Sequence, residues 1–252
     1  MLDQTPLQIA LPKQWSDVTL EQFIEISEID KDQGANSYNS EMLSILTEMS
    51  YDEIDELDLD EMIKMVAKFK WATSQPSKQY KHELLGMKIK PLSKLCLFEY
   101  IDIDYYFNDN YLTNLDKICA ILYRQSKVNE WGEVVLETYD YDIHIRAEKF
   151  LDLPITEVYG IVAEFLKFKE NFLDVYSNLF NEAEDELTAE DKAAMEPDEI
   201  KEVEAEVKTN KWSWEHMIYG LTKGDITKTE AVGALPLTYV FNVLGMKKEL
   251  DI

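Results

Sequence analysis

The run TEVYGIVAEFLKFKENFLDVYSNLF, residues 156–180, decides the fold class of this chain. It places Val158, Ile161, Val162, Phe165, Leu166, Phe172, Val175, Tyr176 and Leu179 at helical spacing, with no proline to break the run. Apolar residues recurring at three and four positions mark one face of a helix. A run of this length predicts a long core helix, with Val158 to Leu166 inside the main core. The chain is therefore expected to be mainly α.

Upstream, the same reading yields a multi-helix N-terminal domain over residues 1–180. In TLEQFIEISEID, residues 19–30, Thr19 and Gln22 form a capping box, and Leu20, Phe23 and Ile24 share a face. Before it, residues 9–15 read as an extended arm whose Trp15 packs on this first helix. Ser40 is expected to cap a second helix carrying Met42, Leu43, Leu46 and Met49. Asp58 and Glu61 form a cap-like pair before Leu59, Met62, Ile63, Val66 and Phe69, again at helical spacing. Between these helices, YDEIDELDLDE (residues 51–61) lacks the glycine and the closing glutamate of a calcium loop. It reads as a solvated corner.

KHELLGMKIK, residues 81–90, has a glycine between two apolar pieces and predicts a minor β hairpin. LCLFEYIDIDYYF, residues 95–107, fits either a strand or an aromatic helix. Thr113 with Asp116 resembles a capping box for a helix of Leu115, Ile118, Cys119, Leu122 and Tyr123. Residues 125–132 read as a loop before the short strand VVLETY. Ile143, Ala147, Phe150 and Leu151 suggest a helix stopped by Pro154, with Asp142 and Arg146 paired one turn apart.

After residue 180 the composition shifts. Residues 181–210 are dense in Glu and Asp and nearly empty of large apolar side chains. Such a segment buries too little apolar surface to offset its ordering entropy, so it reads as an acidic flexible linker. Residues 211–252 then form a small helical, aromatic-rich module. Its first helix ends at Gly224, Thr227 and Glu230 open a second, and Pro236 starts a third. Trp212, Trp214, Tyr219, Tyr239 and Phe241 are expected to form one aromatic cluster there, as a partner-binding surface. More aromatics are present than three short helices bury alone, and exposed apolar surface marks interaction sites. Two arrangements are open: a free docking unit, or a module folded back onto the N-terminal domain.

Composition narrows the function. With 25 basic and 50 acidic residues among 252, the formal net charge is −25. Such a surface repels phosphate and anionic lipid, so neither nucleic acid nor membrane is an expected partner. The two cysteines, Cys96 and Cys119, sit in apolar runs and read as reduced core thiols. His82, His144 and His216 lie far apart, and no HExxH, GxSxG, Walker or GxGxxG pattern occurs. No catalytic, cofactor-binding or metal-binding residue is assigned, and the protein is expected not to be an enzyme.

The order of WSDVTLEQFIEI, YDEIDELDLDE, FEYIDIDYYF, ICAILYRQ and YDYDIHIRAEKFLDLPI resembles that in small acidic proteins of tailed phages, particularly phages of Bacteroides-type hosts. WSWEHMIYGLTKGDITKTEAV after an acidic linker resembles their C-terminal module. Those proteins look like tail assembly chaperones, which help the tape measure protein enter the growing tail. The resemblance implies a non-enzymatic assembly factor in the host bacterial cytoplasm. It would bind the tape measure or another tail protein, with self-association open. The alternative is a structural virion protein of head, connector or tail.

Overall fold

The computed structural model describes residues 11–140, 142–180 and 213–250. The expected linker, residues 181–210, and the expected site residue Trp212 lie outside them. The described chain is mainly helical with a small β component, in agreement with the periodicity of the sequence. It divides into two compact units, Met1–Ile89 with Tyr105–Glu164, and Lys90–Asp104 with Phe165–Ile252. The expected divisions were at residues 180 and 211. Of the boundaries observed, one follows Ile89, and the other two fall inside helices, Leu97–Asn110 and Gly160–Val175.

The first unit opens with α1 (Leu20–Glu28), and its capping box is present as expected. The Thr19 hydroxyl accepts from the Gln22 amide, and the Gln22 side chain accepts from the Thr19 amide, both at 3.1 Å. Leu20 and Phe23 are buried, and Trp15 meets Phe23 edge-on at 5.5 Å. The second helix, α2 (Ala35–Thr47), starts earlier than expected: Gly34, not Ser40, stands at its N-cap. Met42, Leu43 and Leu46 are buried. A short helix, α3 (Tyr51–Asp55), follows with a Ser50–Glu53 capping box that periodicity alone did not announce. Next, α4 (Leu59–Lys68) has the expected Asp58–Glu61 box.

The predicted hairpin is formed by β1 (Glu83–Leu84) and β2 (Met87–Ile89), and β2 also pairs antiparallel with β3 (Tyr123–Arg124). Leu85 and Gly86 both have positive φ, 54° and 73°. Two successive positive φ values match the twist of a two-residue hairpin, and Gly86 adopts its own without a Cβ penalty.

At the centre of this unit, α6 (Leu115–Leu122) buries Leu115, Ile118, Cys119, Ile121 and Leu122. Its cap differs from expectation. Asn114 stands at the N-cap, and the Thr113 hydroxyl donates to the Asn110 carbonyl at 3.3 Å. The expected loop at 125–132 is half of a hairpin, β4 (Ser126–Val128) with β5 (Val134–Leu136). The predicted helix before Pro154 is α7 (His144–Glu148), with Ile143, Ala147 and Phe150 buried. Arg146 pairs with Asp140 at 3.1 Å rather than with Asp142, and its Nε donates to the Ala120 carbonyl at 2.6 Å.

The ambiguous run 95–107 is settled as a helix, α5 (Leu97–Asn110). Leu97, Tyr100, Ile103 and Asp104 are buried at helical spacing, which a strand would not give. Glu99 is also buried, and it accepts from Lys90 Nζ at 2.5 Å and from the Cys96 amide at 2.8 Å. The long run is α8 (Gly160–Val175), followed by α9 (Ser177–Phe180). Val158, Ile161, Val162 and Phe165 are buried as predicted. Leu166 and Val175 are exposed instead, at 40% and 70%. Leu166 follows Phe165 directly and so points about 100° away around the helix. Among the described residues, no helix is long and apolar enough to cross a membrane.

Candidate partner-binding surfaces

The C-terminal module consists of α10 (Ser213–Thr222), α11 (Thr229–Gly233) and α12 (Leu237–Leu250). The expected Thr227–Glu230 box is absent. Asp225 instead accepts from the Thr227 amide at 3.1 Å and opens a single 3₁₀ turn before α11. Backbone pairing ties the module to the start of α5. Leu97 N–H donates to the Leu235 carbonyl at 3.0 Å, and Leu237 N–H donates to the Leu95 carbonyl at 2.9 Å. Gly233 lies so close to Phe98 that a Cβ there would stand 2.1 Å from the ring. A glycine is needed because no larger residue leaves room for the aromatic face.

Ring contacts extend this seat. Trp214 meets Tyr100 edge-on at 5.7 Å. Phe241 meets Phe172 at 4.7 Å and Tyr176 at 5.3 Å. The Tyr176 hydroxyl bonds Asn242 Oδ1 at 2.9 Å. All these residues belong to the second unit. Of the two arrangements left open by the sequence, these contacts are of the folded-back kind, onto residues 92–104 and 165–176.

The four described residues of the expected aromatic cluster differ in exposure. Phe241 is buried and Trp214 half-buried, whereas Tyr219 and Tyr239 are 64% and 56% exposed. Helix geometry explains the split. Tyr239 and Phe241 are two residues apart on α12, hence about 200° apart around its axis. The partner rings Tyr100, Phe172 and Tyr176 were missed as site residues. The signal was present at Tyr100, but only a helical reading of 95–107 gives that ring its direction.

Outside this seat, α12 presents a second stripe: Tyr239, Val243, Met246 and Leu250, at four- and three-residue steps. Tyr239, Met246 and Leu250 are each at least half exposed, at 56%, 50% and 60%. The module therefore uses one face of α12 for packing and leaves an apolar face in solvent.

The first unit has two further surfaces. A groove with a cavity volume of about 660 Å³ runs between α1 and α2. Glu21, Glu25, Glu28, Glu41 and Glu48 line it, together with Ile45 and Met49, and no lysine or arginine does. Burial raises the Glu25 carboxyl above its ordinary range, and the charges of Glu21 and Glu28 add to this. The second surface is α4. Leu59, Met62, Ile63 and Val66 lie on a helix, as their spacing predicts, but no residue of α4 is buried. Phe69, just past its end, is. Leu59 and Ile63 are 72% and 57% exposed.

Two buried carboxylates elsewhere are paired: Glu99 with Lys90, and Asp104 with Lys169 at 2.6 Å. Cys96 is a free, half-buried thiol pushed up to about 11, mainly by burial and then by Glu99. Burial also raises the free thiol Cys119. Among the described residues, no group of three or more His, Cys, Asp or Glu is arranged to hold a metal. No protein-family model, curated protein or solved structure matches the chain.

Proposed function

We propose that the protein is a non-enzymatic assembly factor of a tailed phage, a tail assembly chaperone that binds the tape measure or another tail protein. The observation that carries this reading is the exposed apolar stripe of α12, Tyr239, Met246 and Leu250, on a chain of net charge −25. Contiguous apolar surface in solvent marks a place where another protein binds. The high net charge keeps such a protein soluble while that surface is open. The phage assignment rests on the segment order described above.

The test is a purification from infected cells. A tagged chain should co-purify with a tail protein, and Tyr239→Ser with Met246→Ser should weaken that recovery. Mass spectrometry of mature particles should find the chain absent. Stoichiometric presence in particles would favour the structural virion protein instead. Recovery of no virion protein at all would sink both readings.

A further inference from the structure

We infer that α4 is a docking seat for a basic amphipathic helix of a partner protein. This inference rests on reading the chain as a protein-binding factor, and it concerns a surface separate from α12.

The first ground is a helix with an apolar face that is only partly covered. Met62, Met65 and Val66 are half-buried, and Phe69 anchors the end of the helix. On the adjoining side of the same stripe, Leu59 and Ile63 stand in solvent, one turn apart. A helix of ten residues is about 15 Å long. That length seats two to three turns of a second helix, whose anchors would fall at three- and four-residue steps.

The second ground is charge, which decides the occupant. Residues 51–61 hold seven carboxylates and no lysine or arginine. Glu53, Asp58 and Glu61 are engaged in capping boxes. Asp52, Asp55, Glu56 and Asp60 are exposed and pair with no cation among the described residues. Asp60 borders the exposed side of the stripe, about 100° from Leu59 and 60° from Ile63 around the helix. The lysines of α4, Lys64 and Lys68, lie further round on the polar side. A second copy meeting this face about a two-fold axis would bring the same carboxylates against themselves. Like charges placed so disfavour that pairing. A partner helix with lysine or arginine beside its apolar face satisfies both the strip and its border. Attraction to the border would speed encounter, and the apolar strip would hold the complex.

The test uses the full chain and a fluorescein-labelled synthetic peptide with leucines at i, i+3, i+4 and i+7 and lysines or arginines elsewhere. One control peptide scrambles the leucines, and another replaces the basic residues with glutamate. Fluorescence anisotropy should show the amphipathic basic peptide binding about tenfold or more tighter than either control. Leu59→Ser with Ile63→Ser should reverse that gain while leaving the melting temperature unchanged. Asp52→Asn, Asp55→Asn, Glu56→Gln and Asp60→Asn together should slow association and flatten its dependence on salt. Equal affinity for the scrambled peptide, or unchanged affinity in the Leu59/Ile63 variant, would overturn the seat. Self-association of the wild-type chain abolished by Ile63→Ser would overturn it in favour of a second copy. Loss of the peptide preference in the wild-type chain, with its recovery of a tail protein retained, would overturn the seat while leaving the assembly-factor reading intact.

Discussion

Two helices of this protein carry nearly the same kind of sequence and meet different fates. Both α4 and α8 place large apolar residues at three- and four-residue steps. On α8, Ile161, Val162, Phe165 and Phe172 are buried. On α4, no residue is buried, and Leu59 and Ile63 stand in solvent. The difference lies in what faces them. Phe165 and Phe172 meet Tyr100 at 6.1 and 5.4 Å, and Phe172 also meets Phe241. Leu59 and Ile63 have no comparable cover among the described residues. Helical period fixes which residues share a face, but not whether anything lies opposite.

The sharpest way to break this comparison is Phe165→Ala. Phe165 is fully buried, so truncation should cost about 3–5 kcal/mol in a denaturant titration. A loss under ~1 kcal/mol would make α8 resemble α4 after all. Gly233→Ala comes next. Its methyl would meet the Phe98 ring, and overpacking of this kind costs about 1–3 kcal/mol. An unchanged melting temperature would mean that the Phe98 ring moves aside without cost. Thr19→Ala removes one half of a capping box on α1, with an expected cost of about 0.5–2 kcal/mol by thermal unfolding.

At the small end, Ile63→Ser should change stability by no more than about 0.5 kcal/mol, as exposed substitutions do. A larger loss would show that the α4 face is covered in solution. Glu25→Gln sharpens the picture of the neighbouring groove. The Glu25 carboxyl is raised in the folded chain, so the fold holds its proton more tightly than the unfolded chain does. That contribution is present at pH below the ordinary carboxylate range and is lost as pH rises through the raised value. The variant should therefore melt slightly higher than wild type at neutral pH, and the gap should close on acidification. A gap that is absent or widens in acid would contradict crowding of Glu25 by Glu21 and Glu28.

The helical class, the caps at Thr19 and Asp58, the hairpin at 83–89 and the core stripe of α8 could all be read from local pattern. They depend on neighbours within a few positions, where side-chain type and spacing act directly. Ser40, Thr113 and Thr227 show the limit. Each has a residue type suited to capping, yet α2 begins at Ala35, Asn114 takes the cap of α6, and Asp225 takes the bond near Thr227. Several residues compete for the same amides, and tertiary packing selects among them. The candidate site was legible only in outline. An aromatic-rich module was visible, but the inward turn of Phe241 and Trp214 and the outward turn of Tyr219 and Tyr239 were not.

By itself, then, the sequence determined a mainly α chain, its strong negative charge and the apolar stripes of α4 and α8. These follow from composition and from a period of 3.6 residues, both of which are properties of the chain alone. The tertiary structure decided that Tyr100 and Phe172 receive the C-terminal rings, that Gly233 must be small, and that α4 is left uncovered. Those outcomes join residues 69 to 135 positions apart, or turn on the absence of a covering neighbour. Burial is a relation between two surfaces, and one strand of sequence specifies only its own.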